Sequence, residues 1–154
     1  MDSWRLPWDG GCRCGQVRVR VTAPPLLASA CHCFGCQKMS ASAYSLSLAI
    51  PAQGFNVTKG EPVIGGLHGP TRHVFCPHCL TWMFTRPEGL DDLVNLRPSV
   101  LDDHAWFVPF VEFWTRDQLP WVTTPAPLAF ETEPAPDEFP GLIDAFVHDG
   151  ARPA

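Results

Sequence analysis

Seven cysteines in three tight clusters constrain this 154-residue chain more than any other feature. They stand as Cys12-Arg13-Cys14, Cys31-His32-Cys33-Phe34-Gly35-Cys36 and Cys76-Pro77-His78-Cys79. Structural zinc is four-coordinate and tetrahedral, with thiolate sulfurs about 2.3 Å from the metal. The first and last clusters hold two thiols each and together make four ligands. Adding the whole middle cluster to either pair would make five. The spacing therefore predicts a closed zinc site from Cys12, Cys14, Cys76 and Cys79. It predicts a second zinc on Cys31, Cys33 and Cys36, with one position open. A Cys-x-x-Cys turn can aim two sulfurs at one point, and Gly10, Gly11 and Gly15 let the backbone bend around the first pair. Three other uses of the thiols stay open at this point: disulfides, an iron–sulfur cluster, and closure of the middle cluster by a histidine. An odd count leaves one thiol over in any complete disulfide pairing.

Composition narrows the setting. The formal net charge is −5, so the chain has no electrostatic footprint for a nucleic-acid backbone, and no nucleic-acid partner is expected. No apolar run reaches the ~18 residues a membrane-spanning helix needs. No apolar signal core follows Met1-Asp2-Ser3-Trp4-Arg5 either. A cytoplasmic location is expected, where thiols stay reduced and serve metals or catalysis.

Seventeen prolines and twelve glycines cut the chain into short segments, which predicts a mainly β fold. Residues 16–22 alternate, with Val17, Val19 and Val21 on one face. Residues 44–50 alternate in the same way, residues 26–30 lead into Cys31, and residues 93–96 and 106–114 read as further strands. Composition changes after Val122. The expectation is a metal-binding domain over 1–122 and a Pro-rich acidic tail over 123–154. That tail reads as extended and poorly ordered, with room for a short terminal helix near Pro140–Val147. His32 sits between two ligands and is expected to point away from the metal. His68, His73, His78 and His104 read as surface or satisfied core residues.

Several motifs carry a resemblance: Gly10-Gly11-Cys12-Arg13-Cys14-Gly15 with its following strand, Cys31-His32-Cys33-Phe34-Gly35-Cys36-Gln37-Lys38, and Phe75-Cys76-Pro77-His78-Cys79. In these the chain resembles the glutathione-dependent formaldehyde-activating enzymes, a family to which centromere protein V is related. The resemblance covers roughly residues 4 to 122. It implies a β-tent, in which small antiparallel sheets lean together with zinc near the apex. It also implies the same division of ligands, with Cys31, Cys33 and Cys36 at the catalytic zinc. The implied activity is that of a carbon–sulfur lyase joining glutathione to formaldehyde. Glutathione carries two carboxylates, which makes Lys38 the first candidate contact, followed by Arg72 and Arg97. The chain departs from the family at Cys79-Leu80-Thr81, where a glycine is common, and at Met39-Ser40-Ala41-Ser42. Two other functions fit the cysteines: a non-catalytic zinc scaffold that binds a protein partner through exposed tryptophans, and a thiol redox sensor that releases zinc.

Overall fold

A strand with Val17, Val19 and Val21 on one face needs an apolar surface opposite it. The computed structural model describes residues 3–154 and shows that surface to be a second sheet. In chain order the elements are β1 (Trp8–Gly11), β2 (Arg18–Val21), β3 (Leu27–Cys31), α1 (Phe34–Ser40), β4 (Ser45–Pro51), β5 (Phe55–Lys59), β6 (Val63–Gly65), β7 (Arg72–Phe75), β8 (Trp82–Arg86), β9 (Leu93–Leu96), β10 (Val111–Phe113), β11 (Leu128–Ala129) and α2 (Phe139–Asp149). The fold is mainly β, as the proline and glycine content predicts. A small antiparallel sheet runs β1-β2-β5. A large sheet runs β11-β10-β3-β4-β9-β8-β7-β6. It is antiparallel except around β10, which lies parallel to both β3 and β11.

The period-2 pattern of β3, β4 and β9 gives the large sheet two different faces. Leu48, Ile50, Val94 and Leu96 are fully buried on one face, together with the three valines of the small sheet. Phe55 of the small sheet meets Phe84 of the large one edge-on, with ring centroids 4.7 Å apart. Each such buried side chain contributes about 1.5–3 kcal/mol. The opposite face carries Ser29, Cys31, Ser45, Ser47 and Asn95, aligned across the strands by the pairs Ser29↔Ser47 and Cys31↔Ser45. Of residues 106–114, only Val111–Phe113 is strand. Trp106 instead packs in an aromatic group with Trp4, Trp8 and Phe107.

Residues 123–154 contain β11 and the eleven-residue α2. Phe139, Leu142, Ile143 and Phe146 recur at helical spacing and form one apolar stripe. Phe146 is fully buried, 5.7 Å from the ring of Phe110 and 5.8 Å from Trp4. The average composition of this segment, rich in proline and acid, hides that stripe. Its burial against β3 and the aromatic group outweighs the polar surroundings. Among the described residues, no helix is long and apolar enough to cross a membrane.

Candidate metal centres

Cys12 and Cys14 lie in the turn between β1 and β2; Cys76 and Cys79 lie in the turn between β7 and β8. The folded chain brings the four sulfurs together, all within 4.8 Å of one another. Two of the separations are 3.5 Å, for Cys12–Cys14, and 3.7 Å, for Cys14–Cys76. A tetrahedron with metal–sulfur bonds of about 2.3 Å has edges of about 3.8 Å, so these thiols are spaced for one tetrahedral ion.

Backbone amides already point at the sulfurs. The Val17 N–H donates to Cys12 Sγ at 3.3 Å and the Cys79 N–H to Cys76 Sγ at 3.5 Å. Tightness of the turns requires two residues at positive φ, Gly15 at 79° and Leu80 at 57°. Leu80 bears the steric cost of that conformation, which glycine would avoid. The Thr81 hydroxyl accepts from the Arg13 N–H and lies 3.1 Å from Cys79 Sγ, joining the two turns. That contact, ahead of smaller contributions, draws the Cys79 thiol down to about 5.

The middle cluster forms a second group, with the sulfurs of Cys31, Cys33 and Cys36 likewise within 4.8 Å. Cys31 ends β3 beside Ser45, and Cys33 caps α1, where its sulfur accepts from the Cys36 N–H at 3.4 Å. The hydrogen bond between Cys31 and Cys36 is the leading influence on both thiols. It drives Cys31 up, with burial adding, and draws Cys36 down to about 6 against the opposing effect of burial. A bond to Ser45 and the positive charge of Arg97 also favour the Cys36 thiolate. His32 is fully buried, and its Nε2 lies 2.9 Å from the Glu112 carboxylate on β10. Its backbone N–H donates to the Phe113 carbonyl at 3.0 Å, so the link between Cys31 and Cys33 is tied to the neighbouring strand.

Cys31 and Cys36 open onto a cavity of about 350 Å³ on the serine-bearing face of the large sheet. Arg97 follows β9 and lines this cavity, with only 7% of its surface exposed. Its Cζ sits 4.2 Å from the centroid of the Trp82 ring. Thr85 is a hydrogen-bonding hub beneath it. The Thr85 hydroxyl accepts from Trp82 Nε1 at 3.3 Å and from Arg97 Nη2 at 3.5 Å, and lies 3.0 Å from His73 Nδ1. Tryptophan and arginine can only donate, so the single hydroxyl hydrogen goes to His73 Nδ1. That places the imidazole proton on Nε2. Burial, and then Arg97, push the His73 pKa below its ordinary value, in keeping with a neutral ring. Phe139 and Ile143 of α2 complete the wall.

Lys38 is exposed on α1 and lines a separate shallow groove with Leu119 and Trp121. Arg72 is exposed on β7 opposite Arg86. Of the three cations picked from the sequence for a carboxylate, Arg97 is the one that lines the cavity. Sequence reasoning reads His73 as a surface or satisfied core residue and gives Thr85 and Trp82 no role at the site. The available signal was the alternation of Leu93, Asn95 and Arg97, which puts the arginine on the same face as the β4 serines.

Two sheets that meet at four thiols, with a second group of three thiols of which Cys31 and Cys36 line a cavity, define a mainly β protein with two groups of cysteines that could hold metal ions. The chain belongs to the glutathione-dependent formaldehyde-activating enzyme family, whose model matches residues 7–117. A Halomonas elongata protein, provisionally named a glutathione-dependent formaldehyde-activating enzyme, is 29% identical over 102 residues, covering 61% of this chain and 65% of that protein. The match thus spans just under two thirds of the relative's length. A Rhodobacter sphaeroides protein of known crystal structure shares the fold with a TM-score of 0.52 at 18% identity, over 61% of this chain and 87% of that one.

Proposed function

We propose that this chain is a zinc-dependent carbon–sulfur lyase of the S-(hydroxymethyl)glutathione synthase type, acting on a thiol–aldehyde adduct. The observation that carries the reading is the division of the thiols: four gather between the sheets, while the other three form a second group of which Cys31 and Cys36 line a cavity. Cys12, Cys14, Cys76 and Cys79 would hold a structural zinc, and Cys31, Cys33 and Cys36 a catalytic one. When bound by three thiolates, zinc supplies positive charge that lowers the pKa of a further thiol at its open position.

The residues around it have separate tasks. In the forward direction the substrate thiolate sulfur bonds to the aldehyde carbon. The carbonyl π electrons move to oxygen, which takes up the proton the thiol gave up. His73, neutral with its proton on Nε2, is the cavity residue suited to donate a hydrogen bond to that oxygen as charge develops on it. Leu27, Phe113, Phe139 and Ile143 offer the adduct an apolar wall. Breaking the same carbon–sulfur bond is the reverse reaction.

The test combines metal content with exchange. Native mass spectrometry is expected to find two zincs per chain. NMR of ¹³C-formaldehyde with glutathione is expected to show exchange accelerated by the protein and lost in Cys33→Ser, while circular dichroism shows that variant folded. Full exchange in a folded Cys33→Ser protein would overturn the reading.

A further inference from the structure

Arg97 is a buried cation with no anionic side chain bonded to it among the described residues. Its Nε has no hydrogen-bond partner, and its Nη2 contacts, to Thr85 Oγ1 and the Asn95 carbonyl, are both long at 3.5 Å. Arginine stays charged in a protein, and a buried charge is costly unless an opposite charge meets it. Trp82 packs against the guanidinium, its ring centroid 4.2 Å from Cζ, and the planar guanidinium carries a rigid fork of N–H groups. A fork of that kind matches a carboxylate, which can accept two parallel hydrogen bonds.

The rest of the cavity limits what carries the carboxylate. Leu27, Phe113, Phe139 and Ile143 make its walls apolar, and its volume is about 350 Å³. The carboxylate side chain on its lining is Glu133, which is exposed and accepts from Trp114 Nε1; the thiols of Cys31 and Cys36 line it as well. Glutathione brings two carboxylates and an ammonium group; the cavity offers one buried cation. Two of the walls come from α2, outside the 7–117 region that matches the family.

We propose that Arg97 is a carboxylate-binding residue that selects a compact thiol carrying a single carboxylate, or its aldehyde adduct. This rests on the reading of Cys31, Cys33 and Cys36 as the reactive centre, and adds the class of substrate. The thiol sulfur goes to the three-cysteine group, the carboxylate to the guanidinium, and the short carbon chain lies against the apolar wall.

Two probes of similar size separate the two contacts: 3-mercaptopropionate has the carboxylate and 1-propanethiol lacks it. Binding is read on the full-length protein loaded with cobalt(II), whose thiolate absorption reports a new sulfur ligand, and by calorimetry. In the wild type, 3-mercaptopropionate is expected to bind roughly 10- to 100-fold tighter than 1-propanethiol, the range for a hydrogen bond to a charged group. That ratio is expected to fall to about one in Arg97→Met and to an intermediate value in Arg97→Lys. Equal affinities in the wild type overturn the proposal without any variant, and mark Arg97 as a counter-charge to the thiolates. Glutathione binding more than tenfold tighter than 3-mercaptopropionate overturns the limit to compact thiols. If neither thiol alters the cobalt spectrum, the open-position reading fails, and butyrate calorimetry decides the arginine separately. Butyrate binding that is lost in Arg97→Met keeps the carboxylate site, and absence of butyrate binding in the wild type overturns it.

Discussion

The four-thiol and three-thiol groups are built from the same side chain, yet they span the chain very differently. Cys14 and Cys76 are 62 positions apart and come from turns of different sheets, whereas Cys31, Cys33 and Cys36 fall within six consecutive residues. In the first group Cys12 and Cys76 are buried, Cys79 is half-buried and Cys14 exposed, whereas Cys31, Cys33 and Cys36 are all half-buried. A metal on the first group closes a long loop and ties two sheets together. A metal on the second closes almost no loop, because β3 and α1 already hold its ligands in place. On the proposed reading, chain entropy would let a metal on the first group support folding and leave one on the second free for chemistry.

The largest expected effect follows from that contrast. Metal binding to a small zinc domain is itself folding free energy, about 10–16 kcal/mol in isolated zinc-finger peptides. Cys76→Ser is expected to abolish cooperative thermal unfolding followed by circular dichroism. Cys33→Ser is expected to keep the cooperative transition and lose one equivalent of metal. If both variants lose the transition, the contrast between the groups is broken.

The next effect tests the anchoring of α2, whose Phe139 and Ile143 line the cavity beside the three-thiol group. Phe146 is fully buried between Trp4 and Phe110, so Phe146→Ala is expected to destabilise the protein by about 3–5 kcal/mol in urea titration. A loss below about 1 kcal/mol would mean that residues 123–154 contribute little to the core. Beneath the same group, Glu112 pairs with the buried His32. Glu112→Ala leaves His32 Nε2 without its partner and is expected to cost about 1–3 kcal/mol. It should also speed metal loss to a chelator from the three-thiol group alone. Equal acceleration at both groups would show that Glu112 acts on the whole fold rather than on the Cys31–Cys33 link.

Much of this contrast was legible in the cysteines. The counts of two, three and two divide the thiols into the same two groups that the structure gathers, and the 62-residue separation means that a metal on the first group would staple distant segments. The valines of β2 announced a buried face because period 2 is a local property. Other features were not legible, for physical reasons. The alternation of Ser45 and Ser47 reads as a solvent face, and only the fold shows it flooring a cavity. Arg97 reads as a surface charge, because the burial of a cation depends on which strands flank it. Lys38 was favoured for standing two residues from Cys36, but on α1 that spacing turns the chain to the outside. The Phe139, Leu142, Ile143 and Phe146 stripe was present in the sequence, masked by prolines that lie mostly before the helix.

The smallest expected effect sharpens the view of what else fastens the small sheet. Arg18 on β2 makes a bidentate pair with Asp102, at 2.9 Å and 2.5 Å, and the Asp102 N–H donates to the Asp9 carbonyl. This sits beside the close contact of Gly10 with Leu101, where an added Cβ would lie 2.3 Å from the Val100 carbonyl oxygen. The Arg18 hydrogen bond, and then its charge, hold the Asp102 carboxyl below the ordinary value of 3.8. A carboxylate depressed in the folded state adds stability above its unfolded pKa and loses it as pH falls through the folded value. The side chain of Asp102 is 57% exposed, so solvent screening limits the pair to under about 1 kcal/mol. Asp102→Asn is therefore expected to lower stability by less than that at pH 7. Wild type and variant should converge once pH drops below the ordinary carboxylate range, and 1 M salt should narrow the gap at pH 7. A pH-independent loss of several kcal/mol would instead mean that the Asp102 loop, and not the four-thiol group alone, joins the two sheets.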